Sequence, residues 1–97
     1  MNLKRGQVVW SKAGRDQGSF LAVLECRPPW AVLADGGRRP LERPKRKRLI
    51  HLAPTARVLP EEALAGNRRL RAALRAALRA AGGKEARPES GPESTKL

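Results

Sequence analysis

The stretch Ser11–Phe20, "SKAGRDQGSF", decides how the first half of the chain is built. Gly14 and Gly18 bracket Arg15-Asp16-Gln17, which admits a phosphate-cradling nucleotide loop, a catalytic turn or a tight corner between strands. A nucleotide loop of the P-loop kind has a longer gap between its glycines and then Lys-Ser or Lys-Thr opening a helix. Here three residues intervene, and Ser19-Phe20 opens an apolar run. A catalytic turn needs a nucleophile or acid within reach of a base. The chain has one His and no Tyr, and its acids outside the C-terminal segment form no carboxylate constellation. A corner is what remains. Gly14 and Gly18 then act as structural turn residues that supply backbone angles or a close approach which a side chain would block, with Ser11 and Asp16 as turn formers.

On either side of the corner the chain reads as short strands. "QVVWS", "SFLAVLE" and "WAVLAD" are rich in Val, Leu, Phe and Trp and are separated by "AGRDQG", "CRPP" and "DGG", which are turn compositions. "RRPLE" and "RLIHL" are two further candidate strands, the first at an edge because Pro40 cannot donate to a ladder. Five short strands in so short a span predict a mainly β fold, a small barrel or a strongly bent sheet. From Pro60 the pattern turns helical. "PEEALAG" has Pro at a first helical position and two acids behind it. Asn67 is placed to cap a second helix, "RRLRAALRAALRAA", over Arg68–Ala81. Leu70, Leu74 and Leu78 form an apolar stripe on it, with Arg71, Arg75 and Arg79 beside them. The expected organisation is a barrel over 1–55, a helical extension over 56–81 and a polar, disordered tail over 82–97.

Composition limits the function. The chain has 97 residues, a formal net charge of +12 and a pI near 11.6. One small domain of this size has little room for a closed catalytic pocket, and its charge draws it to polyanions. Cys26 has no second cysteine to pair with, which fits a reducing compartment. One Cys and one His cannot make a zinc site, so no metal, cofactor or catalytic residue is expected. No run approaches the roughly 20 apolar residues of a membrane span, and "MNLKRGQVVW" lacks the apolar stretch of a secretory signal. The expectation is a cytoplasmic monomer with no membrane partner.

The strongest electrostatic signal is "RRPLERPKRKR", Arg38–Arg48, with seven basic residues against the single acid Glu42. Pro40 and Pro44 stiffen it, and it lies between candidate strands, so its charge is displayed from a folded edge and suits phosphate contacts. His51, beside this run, is either a plain strand residue or a contact to base or phosphate. Aromatic content is only 3%, which leaves few stacking platforms.

"GQVVWSKAGRDQGSFLAVLE" resembles the KOW motif of ribosomal proteins and transcription elongation factors. Gly6, Gly14 and Gly18 fall on its glycine positions, and Val9 and Val23 on its apolar ones. The continuation "WAVLADGGRRPLERPKRKRLIHLAPT" is similar to the KOW-containing RNA-binding proteins of Gram-positive bacteria, relatives of a large-subunit ribosomal family of eukaryotes and archaea. Leu21 stands where many KOW motifs carry a third glycine, which favours the ribosomal branch over the elongation-factor one. The resemblance implies an SH3-like barrel that binds RNA as a ribosome- or rRNA-associated protein. Lys12, Arg15, Arg38, Arg39, Lys45, Arg46, Lys47 and Arg48, with His51, would then face RNA. The alternative is a protein-interaction module that docks a transcription or ribosome-assembly factor through the barrel or the leucine stripe.

Overall fold

Alternation of apolar residues builds a sheet with two buried faces. The computed structural model describes residues 2–80. The expected tail over 82–97 and the helix end at Ala81 lie outside the described residues. Among the described residues the strands are β1 (Gln7–Ser11), β2 (Phe20–Arg27), β3 (Trp30–Ala34), β4 (Lys45–Arg48) and β5 (Leu52–Val58), followed by one α-helix, α1 (Asn67–Ala80). All pairings are antiparallel, in the order β4-β3-β2-β1-β5. The chain is therefore mainly β, a five-stranded antiparallel sheet followed by a helix, compatible with a small β-barrel-like domain. The register shifts between Val23 and Glu25 and between Gln7 and Val9, and such irregularities bend a strand and increase its twist.

Val9, Leu21, Val23, Ala31, Leu33 and Leu52 gather on one face with Leu3 and Leu49, and the half-buried Cys26 packs against them. Their sequence neighbours Val8, Ala22 and Ala34 point the other way and meet Leu59, Leu64, Leu70, Leu74 and Ala77. The period of two along the strands thus feeds two cores, and α1 covers the second. That coverage matters in a chain of this length, where a single core is marginal. Arg5 ties the N-terminal segment down, donating to Glu61 and to the Leu24 carbonyl.

The first three strands lie where the sequence placed them, within two residues at each end. "RRPLE" is not a strand. The Asp35 carboxylate accepts from the Gly37 and Arg39 amides, while the Asp35 and Gly36 amides donate to the Arg39 carbonyl, which folds 35–39 into a turn. The Arg43 amide then donates to the Pro40 carbonyl, and the turns continue. "RLIHL" is divided: Arg48 ends β4, Leu49–His51 makes a 3-10 turn, and Leu52 starts β5. β5 runs to Val58, so the expected barrel boundary at residue 55 falls inside a strand.

The second half departs further. "PEEALAG" forms only a 3-10 turn, Glu61–Leu64. Asn67 does not cap the helix with its side chain; it accepts from the Leu41 amide and donates to Glu42, holding the loop after Pro40. On α1 the buried residues are Leu70, Leu74 and Ala77, while Leu78 is only half-buried. Gly36 explains how closely the helix docks. It has φ +82°, and a Cβ there would collide with the Asn67 carbonyl in the first turn of α1.

Candidate functional site

The glycine corner is anchored before it is charged. The Ser11 amide donates to the Ser19 carbonyl and the Gly18 amide to the Ser11 carbonyl, closing the loop at its base. Inside it the Gln17 amide donates to Gly14 and the Ser19 amide to Asp16. Gly14 (φ +80°) and Gly18 (φ +88°) take the left-handed angles this path requires. Lys12 and Arg15 are exposed on the loop.

Two contacts from distant parts of the chain pin this loop against the basic run. Arg39 donates through Nε and an Nη to both oxygens of Asp16, each at 3.1 Å, in the bidentate geometry that favours Arg over Lys. Lys47 Nζ donates to the Ala13 carbonyl at 2.9 Å and is itself buried. Asp16 is 2% exposed. Burial by itself pushes its carboxyl up, but the hydrogen bonds and charge of Arg39, with Lys47 and Lys45, outweigh this and hold it below the usual carboxylate range. Asp16 is thus more than a turn former. It pairs with Arg39, one of the two cations that hold the loop in place, and lies in the field of the other, Lys47.

The register of β4 on β3 sorts the rest of the basic run. Lys45 and Lys47 lie opposite Leu33 and Ala31, whereas Arg46 and Arg48 lie opposite Val32 and Trp30. Successive strand residues face opposite ways, so the two lysines turn to the core side and the two arginines outward. Both arginines are exposed, and their guanidinium carbons stand 4.6 Å and 5.6 Å from the Trp30 ring centroid, within cation–π range. Their aliphatic stems let four successive cations form a strand at all, because they cover apolar surface while the charge stays in water.

The nine candidate contact residues therefore fall into separate settings. Lys12 and His51 are brought together, since the Lys12 amide donates to the His51 carbonyl, while Arg15 is exposed further along the glycine loop. Arg39 and Lys47 are committed to contacts within the protein, and Lys45 is half-buried beside them. Arg46 and Arg48 flank the edge on its outer face. Arg38 projects from the 35–39 turn, where Gly37 lies beside the Arg71 side chain. Trp30 was missed as a site residue, because only the β3–β4 register shows that it meets arginines.

Charge on an edge strand also deters edge-to-edge pairing of sheets. That role needs neither a cation–π arrangement nor a loop pinned alongside. Among the described residues no group of His, Cys, Asp and Glu could hold a metal ion, and no helix is long and apolar enough to cross a membrane. No protein-family model matches the chain, and no curated protein is significantly similar to it.

Proposed function

We propose that this is a non-catalytic RNA-binding protein with an SH3-like barrel of the KOW kind, acting on ribosomal or other structured RNA in the cytoplasm. One observation carries the reading. The glycine loop bearing Lys12 and Arg15 is held against the basic edge by Asp16–Arg39 and Lys47–Ala13, so cations far apart in sequence border one strand. The acid among them is already neutralised, which leaves the surrounding positive potential to an external polyanion. The strand order, in which β1 to β4 form a meander and β5 returns beside β1, supports the SH3-like reading.

Phosphate contacts of this kind release condensed counterions, so affinity falls with salt by roughly 0.7 to 0.9 log units per contact per log unit of salt. Changing Lys12, Arg15 and Arg38 together to Ala should weaken binding to unrelated structured RNAs by similar factors and flatten the salt slope by about 2. Fluorescence anisotropy with labelled RNA across a salt series measures both. Wild-type protein that leaves RNA unbound at low salt, or a triple variant with an unchanged slope, would remove the proposal. Salt-insensitive capture of a ribosome-assembly factor would favour a protein-interaction module instead.

A further inference from the structure

The outer face of the sheet is not uniformly covered. α1 packs over Val8, Ala22 and Ala34, whereas Trp30, on the same face of β3 as Ala34, lies outside that cluster. Its cross-strand neighbours are Arg27 on β2 and Arg48 on β4. Arg27 is paired with Glu25. Arg46 and Arg48 hold their guanidinium groups over the indole, and among the described residues no carboxylate pairs with either. A half-buried aromatic ring thus sits at the end of the sheet beneath two exposed cations. Simple phosphate attraction has no use for the ring. Solvation of an edge strand has no use for it either.

Both parts have a use if the ligand presents a flat π-face joined to phosphate. Unpaired bases stack on aromatic side chains and on Arg guanidinium planes, and this stacking tolerates any base. A paired base inside a duplex cannot offer its face. We propose that Trp30 with Arg46 and Arg48 forms a stacking site for an unpaired nucleotide, so that the protein prefers RNA with a single-stranded, bulged or looped segment over a continuous duplex. The site rests on the RNA-binding reading above and adds a structural preference to it. The base packs against the Arg-capped indole, and its flanking phosphates take the remaining charge.

Trp30→Leu keeps an apolar side chain under the arginines and removes the π-face. Binding of short oligoadenylate and of a blunt RNA duplex with the same number of phosphates is to be measured for wild type and variant at one salt concentration. The variant should lose about tenfold in affinity for the single strand, as expected for one stacked base, and change little on the duplex. Indole fluorescence quenched by oligoadenylate in the wild type should be largely unquenched in Trp30→Leu, where only Trp10 remains. Equal loss on both RNAs, or no loss on either, would overturn the stacking site while leaving RNA binding in place. A wild type that binds neither RNA would remove both. Polyglutamate competing as well as oligoadenylate would show that the site reads charge alone and would also overturn it. Circular dichroism and melting of Trp30→Leu close to wild type confirm that the variant is folded.

Discussion

Arg46 and Arg48 on β4 and Arg71, Arg75 and Arg79 on α1 carry the same charge on the same small domain, yet the two rows relate to the fold in opposite ways. On β4 the cationic side chains are themselves the packing: the arginines cover Trp30 and the buried Lys47 reaches the glycine loop. On α1 the apolar packing belongs to Leu70, Leu74 and Ala77, and the exposed arginines stand outside it, apart from the Arg71 stem that lies beside Gly37. Arginines four apart on a helix repel one another. Arg68 and Arg69 also sit in the first turn, where the helix dipole disfavours positive charge and no acid stands. Charge fixed by contacts can present a defined geometry to a ligand. Charge on free side chains contributes general attraction to a polyanion.

The sharpest way to break this comparison is to attack the apolar side of α1. Leu70 is fully buried among Val8, Ala22 and Ala34. Leu70→Ala should cost about 3 kcal/mol, by lost transfer energy and the cavity left behind. Urea unfolding at neutral pH measures it. A loss well under about 1 kcal/mol would show that α1 is held by something other than its apolar stripe.

On the other side of the comparison, the cations near β4 should matter to stability through Asp16. Asp16→Asn leaves Arg39 short of a buried counter-charge and should cost about 2 kcal/mol at neutral pH. The folded carboxyl lies below its unfolded value near 3.9. Its contribution is therefore complete above about pH 4 and is lost as pH falls towards the depressed folded value. Denaturation midpoints of wild type and Asp16→Asn should accordingly converge in acid. Parallel curves down to strong acid would mean that Asp16 does not stabilise the loop as an anion.

The two rows also differ in how readable they were. The helix stripe announces itself by its period, and the strands from Gln7 to Ala34 by their apolar runs and glycine turns. Lys45–Arg48 contains no apolar residue, so nothing in a hydrophobic pattern marks it as a strand. It becomes one because β3 offers it a register. "RRPLE" failed for the converse reason: its residues allowed a strand, but the Asp35 side chain competed for the backbone amides. Asp16–Arg39 spans 23 positions and Asn67–Leu41 spans 26. In each, local rules had already given the acceptor another task, Asp16 as a turn former and Asn67 as a helix cap, and its partner lay in a candidate strand. At Ala77 the helix turned its small residue inward where Leu78 carried the stronger apolar signal.

The smallest expected effect tests the α1 side most directly. Arg75 stands four residues from both Arg71 and Arg79 on an exposed face, so Arg75→Glu turns two repulsive pairs into attractive ones. Glu preceding Arg79 has the favourable orientation and Glu following Arg71 the weaker one, and helix propensity is nearly unchanged. The gain should be about half a kcal/mol at low salt and should shrink as added salt screens exposed charges. RNA affinity should fall in the same variant, because general attraction is reduced, while the preference for single-stranded over duplex RNA stays as it was. Thermal melting at low and high salt checks the first expectation, and anisotropy with the two RNAs checks the second. An unchanged or lower melting temperature at low salt would mean that these arginines already have counter-charges, and the contrast with β4 would fail.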